Sequence, residues 1–188
     1  MAVNFEHSVQ INAAKIRGAY LDMSADLEFL LVDVTCVCLL RDATERNHIK
    51  EILISHTMLS KKIEFTSKAL KQFDKDLYDI AEPYLNIFRK FGETRNKLAH
   101  VRIVGDDNEI DLDVLYFVSF KKGEIVKTPH RIDDLTQRIH GYAQALNEFG
   151  TKIIPTLYEK RYLTRYNNIL LFPSNRSMSH WYNLQLSQ

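Results

Sequence analysis

Apolar residues recur at steps of three and four along several long stretches of the chain. Over residues 8–41 the line runs Ile16, Tyr20, Met23, Leu27, Leu30, Leu31 and Val34, continued by Val37 and Cys38. That spacing gives one apolar face of a long helix. A second helical region covers about 44–73, after a polar break over Asp42 to His48, and is interrupted near His56, Thr57 and Ser60. Ser60 is read as a cap for the piece that opens Lys61-Lys62-Ile63-Glu64, with Ile63, Leu70 and Phe73 facing a core. A third helix is expected from about Asp76 to Ile103, on the line Leu77, Ala81, Tyr84, Phe88, Phe91, Arg95 and Leu98. Pro83 stands either in its first turn or at a kink. Gly105, followed by Asp106-Asp107-Asn108, is its stop signal.

The period then changes. Leu112, Val114, Tyr116, Val118 and Phe120 share one parity of a β-rich run, Lys121-Lys122-Gly123 reads as a turn, and Glu124 to Lys127 returns as a second strand closed by Pro129. The expected hairpin spans about 111–128 and must pack on helices to be stable. The last long helix carries Ile132, Leu135, Ile139, Tyr142, Leu146, Phe149, Ile153 and Leu157, with acidic Asp133 and Asp134 at its start and Pro155 as a kink point. Together these predict an all-α fold: an up-down bundle of four to five long helices, with a β-hairpin inserted before the last. Residues 1–163 form the helical domain. Residues 164–188, rich in Tyr, Asn and Trp, form a C-terminal aromatic extension. Its Arg165 and Arg176, with Arg161 just before it, lie among aromatics that could stack on bases, though packing on the domain is the plainer reading.

Composition narrows the function classes. The chain has 188 residues, 45% hydrophobic and 26% charged, with a formal charge of +1. Such a balance excludes a polyanion-binder acting through overall charge, so any nucleic-acid contact must be a local patch. Lys61, Lys62, Lys68 and Lys71 could form one, but read more simply as a solvated helix face. Asp22, Asp26 and Asp33 read as a solvated acidic face. Cys36 and Cys38 are two apart on a helix and point to nearly opposite sides, which suits neither a disulfide nor a metal pair; they are expected as core fillers in a reducing compartment. No secretory signal and no membrane span is evident, so a cytoplasmic protein is expected. No metal-ligand spacing, phosphate loop or nucleophile motif is present, and no cofactor is expected.

One break in the helical pattern carries chemistry. Arg95 stands where the third helix calls for a core residue, and a guanidinium there must be paired or kept wet. Asn96 and His100 are one turn apart on an adjacent face. Arg95 and His100 lie roughly 140° apart around an ideal helix. These residue types suit proton transfer beside a phosphate group. Histidine can move the protons near neutral pH, since its unperturbed pKa is about 6.5. The planar arginine fork matches two phosphate oxygens. Asn96 can donate to phosphate or orient the imidazole.

The stretch Arg95-Asn96-Lys97-Leu98-Ala99-His100 resembles the signature of the HEPN superfamily, an Arg followed by a polar residue and then a His four to six residues after the Arg. The resemblance covers roughly residues 8–160. It implies a helical bundle, in which a hairpin before the final helix also occurs, and catalytic roles for Arg95, Asn96 and His100. It makes Glu28, on the first helix, a candidate partner for Arg95. It further implies a metal-independent endoribonuclease. Two subunits of a homodimer then join their motifs in one cleft and leave 2′,3′-cyclic phosphate and 5′-hydroxyl ends. Toxin, stress and antiviral defence systems are the family's settings, so an RNA substrate and a protein partner or antitoxin are expected. A non-catalytic HEPN dimer serving as a binding or regulatory module is the alternative, and a helical protein whose aromatic tail docks on another subunit is a third.

Overall fold

The computed structural model describes residues 2–40, 42–100, 102–104 and 113–162. The expected stop at Gly105, Leu112 and the extension 164–188 lie outside them. Five helices follow in order: α1 (Ala2–Leu39), α2 (Ala43–His56), α3 (Leu59–Phe73), α4 (Lys75–His100) and α5 (Ile132–Tyr162). Between α4 and α5 lie β1 (Arg102–Val104), β2 (Val114–Lys121) and β3 (Glu124–Arg131).

Consecutive helices run in opposite senses. Lys50 of α2 pairs with Asp33 of α1, while Ile54, later in α2, lies beside Lys62, which pairs with Glu28, earlier in α1. Tyr20 stacks on Phe91 and Arg17 reaches Leu98, so α4 is antiparallel to α1. Tyr20 meets Tyr142 and Asp33 meets Tyr158, so α5 is parallel to α1. The fold is therefore an up-down helical bundle. The hairpin sits at the end where α4 finishes and α5 starts.

The core is the predicted set of stripes. Tyr20, Leu27, Leu31, Leu77, Phe88, Phe91, Phe149 and Leu157 are all buried. Each such side chain contributes roughly 2–3 kcal/mol of apolar burial. Cys36 and Cys38 are buried and free. A second apolar line on α1, comprising Ile11, Ala14, Gly18, Leu21, Ala25 and Phe29, stays at the surface. No described helix is long and apolar enough to cross a membrane.

Several boundaries differ from expectation. Ser60 does not cap α3; the helix enters two residues earlier, with the Met58 carbonyl accepting from the amides of Lys61 and Lys62. Glu64 instead binds Lys61 and Lys68. The polar stretch after Asp42 is helix, because the Asp42 carboxylate accepts from the amides of Thr44 and Glu45 at 2.8 and 2.9 Å. Pro83 lies inside α4 on its exposed side. α4 stops at His100 rather than Ile103, because Arg102–Val104 pairs antiparallel with β2. Pro129 lies within β3, opposite Tyr116. β3 is an edge strand, where the missing amide hydrogen is tolerated. Lys122 and Gly123 take positive φ at the two-residue turn.

Candidate functional site

Arg95 follows an aromatic layer. Phe91, one turn earlier, stacks on Tyr20 with ring centroids 5.5 Å apart and meets Tyr142 edge-on at 5.1 Å. Arg95 emerges from this layer half-buried. One guanidinium nitrogen, Nη1, donates to Asn96 Oδ1 at 3.2 Å. Its Nε is buried and has no hydrogen-bond partner among the described residues. A buried donor left unmade costs about 1–3 kcal/mol. Leu98 is buried again, and its carbonyl accepts from Arg17 Nε at 2.9 Å. That bond satisfies one of the open carbonyls of the last helical turn and brings positive charge to the negative end of the helix. α4 ends at His100, whose side chain lies outside the described residues.

The pairing of α4 with α5 completes this end. Tyr84 meets Phe149, and seven residues on Phe91 meets Tyr142, seven residues back. One turn further along each helix stand Arg95 and Arg138, which the same progression brings to one level. Neither makes an ion pair with a described carboxylate. On the hairpin, Leu115 and Phe117 face the helices, both buried. Both parities of this strand are apolar: on the line of Val114, Tyr116, Val118 and Phe120, Val114 is buried while Phe120 is 77% exposed. His130, opposite Leu115 in the register, shares the buried face, and its ring lies 4.1 Å from that of Phe117. Burial, then the charges of Arg138 and Lys97, push the His130 imidazole below its ordinary value, with Asp134 opposing them. Tyr20 is fully buried, and its hydroxyl has no partner among the described residues. Burial and the neighbouring Tyr142 push that phenol well above its ordinary range, against the pull of Arg138.

Glu28 belongs elsewhere. It accepts from Lys62 Nζ at 2.5 Å and from Ser24 Oγ at 3.1 Å. It stands eleven residues along α1 from Arg17, about 16 Å by helical rise, and so far from the level of Leu98 and Arg95. Its partner is therefore Lys62, not Arg95. Lys62 is not part of a solvated face: its side chain is 1% exposed, covered by α2, and it also donates to the Ile54 carbonyl. Asp33 likewise is not part of a solvated acidic face, since it binds Lys50 and the Tyr158 hydroxyl. Among the described residues no group of three or more His, Cys, Asp or Glu side chains is placed to hold a metal ion.

Arg138 and His130 carried no motif in the sequence. Only the helix pairing puts Arg138 level with Arg95, and only the strand register puts His130 on the helix-facing side of the hairpin. Compared with known proteins, the chain matches no family model, no curated protein and no solved structure.

Proposed function

We propose that this protein is a metal-independent endoribonuclease of the HEPN type, acting as a homodimer in a toxin, stress or defence setting. The observation that carries the reading is Arg95: a half-buried guanidinium with an unpartnered Nε, next to Asn96, on the helix that ends in His100. The substrate 2′-hydroxyl gives up its proton and its oxygen bonds to the adjacent phosphorus. The bond to the 5′-oxygen breaks, and that oxygen takes up a proton. His100 serves the proton transfers, and Arg95 holds the charge on the phosphate oxygens. Asn96 fixes the Arg95 fork. The products are a 2′,3′-cyclic phosphate and a 5′-hydroxyl.

The exposed α1 line supports a second copy. Ile11, Gly18 and Ala25 repeat every seven residues, with Ala14 and Leu21 between them. In an antiparallel pairing centred near Gly18 and Leu21, exposed Lys15 faces the copy's exposed Asp22. The Arg17–Leu98 bond holds the motif end level with that centre. The competing reading, a regulatory dimer with Arg95 as a structural ion-pair member, lacks a described carboxylate for Arg95 to pair with.

The test is incubation of labelled structured RNA with protein in EDTA, with end-group analysis and light scattering. Arg95→Ala and His100→Ala should each slow cleavage by about 100-fold or more while the dimer persists. Either variant cutting at the wild-type rate sinks the proposal.

A further inference from the structure

The geometry points to a second phosphate subsite beside the motif, in which Arg138 of α5, His130 of β3 and Lys97 of α4 hold a neighbouring backbone phosphate of the bound polynucleotide. The identity of the anion rests on the RNA reading above; the existence of an anion site does not.

Three observations converge on it. The antiparallel progression from Tyr84–Phe149 to Phe91–Tyr142 leads to Arg95 and Arg138 at the same level, two like charges without a described carboxylate between them. An anion that reaches both would neutralise them. His130 is held on the helix-facing side of the hairpin by its ring contact with Phe117, and the Ile132 amide donates to the Asp113 carbonyl at 2.8 Å where the strand meets α5. His130 lies two residues before the first residue of α5, the helix that carries Asp134 and Arg138, and the charges of Arg138 and of Lys97 on α4 bear on its ring. Phe117 stands against it from β2 and brings no charge.

Burial and the two cations disfavour the charged form of the free imidazole. A phosphate bound among these groups reverses that balance, because a negative charge favours the imidazolium. Binding then takes up a proton. Affinity rises as pH falls through the bound-state value and levels off below the free-state value. Among the described residues, Asp134 opposes the two cations at the ring. A substrate phosphate held here would fix the register of the strand in the cleft, so the phosphate at Arg95 is the one cut.

The experiment uses the full-length protein and two probes: inorganic phosphate, and an oligoribonucleotide fully 2′-O-methylated so that it cannot be cut. Imidazole NMR signals, assigned by loss of one resonance in His130→Asn, are followed against pH with and without each probe. Both probes should raise the His130 titration midpoint. Arg138→Ala should lower oligonucleotide affinity about tenfold and reduce the salt dependence by about one ion. His130→Asn should flatten the pH dependence of binding. Arg138→Lys should fall between Ala and wild type, since it keeps the charge and loses the fork. Arg138 is exposed, so its loss should leave the fold intact. Wild-type affinity and pH profile in both Arg138→Ala and His130→Asn overturn the subsite, whether or not the protein cuts RNA. A response to inorganic phosphate with none to the oligonucleotide overturns the polynucleotide assignment. Binding through these groups without cleavage of unmodified RNA upholds the subsite and removes the nuclease reading.

Discussion

Removing Glu28 should harm the protein far more than removing Lys62. The Lys62 side chain is 1% exposed and that of Glu28 is 25% exposed. Without Glu28, Lys62 keeps one partner, the Ile54 carbonyl at 3.2 Å, and its charge stays sealed under α2. Breaking a buried pair in this direction costs about 3–5 kcal/mol; some relaxation of α2 puts the expectation for Glu28→Ala at about 3. Lys62→Met fills the same channel with apolar atoms. Glu28 then keeps the Ser24 hydroxyl and reaches water, so the loss should be about 1 kcal/mol. The pair Glu28→Leu with Lys62→Met should return to within about 1 kcal/mol of wild type, because apolar replacements of buried ion pairs are often neutral. For a domain of this length, 3 kcal/mol corresponds to a fall in Tm of roughly 6–12 °C. Thermal and urea melts of the wild type and these three variants, with Glu28→Leu alone to close the cycle, give the comparison. If Lys62→Met proves as harmful as Glu28→Ala, burial does not set the asymmetry and the reasoning fails.

Tyr20→Phe removes a buried hydroxyl that has no partner among the described residues and should leave stability unchanged or raise it by up to about 1 kcal/mol in a thermal melt; a loss above 1 kcal/mol would show a satisfied hydroxyl. Burial pushes the Cys38 thiol up to about 12 and also raises Cys36, so neither should react with a disulfide reagent at pH 8 in the native protein, and both should react in denaturant. A fast native reaction of either would refute their place in the core.

How much could be read from the sequence follows from which contacts are local. The α4 and α5 stripes were legible because helical period alone selects Leu77, Phe88, Phe91, Ile139 and Phe149, and all are buried. The hairpin face was not, since Val114 to Val118 is apolar at every position and only the bundle decides that Leu115 and Phe117 turn inward. Lys62 was misassigned because its charge speaks for solvent. A signal existed all the same. Lys62, Thr66, Ala69 and Phe73 fall at four-three-four spacing, as do Ser24, Glu28, Leu31 and Thr35 on α1. The two lines meet through Lys62–Glu28 and through the Thr35 and Thr66 hydroxyls, 2.9 Å apart. At the motif end, Arg95 announced itself by interrupting a stripe. Arg138 and His130 did not, because helix pairing and strand register are tertiary facts.

The two polar regions of the bundle differ in a way that bears on function. Around Lys62 the buried polar groups answer one another: Lys62 with Glu28, Glu28 with Ser24, Thr66 with Thr35 and the Leu31 carbonyl. That network ties α1 to α3 and needs nothing from outside. At the other end the Tyr20 hydroxyl, Arg95 Nε and Thr136 Oγ1 lie buried without described partners, and Arg95 and Arg138 share a level. Native interiors tolerate few such groups, and each calls for an explanation. These three come from α1, α4 and α5 rather than from one helix. The same logic sets the sign of a general effect: apolar or neutral replacements at Tyr20, Thr136 and Arg138 should hold or raise stability in the free protein, whereas loss of Glu28 lowers it.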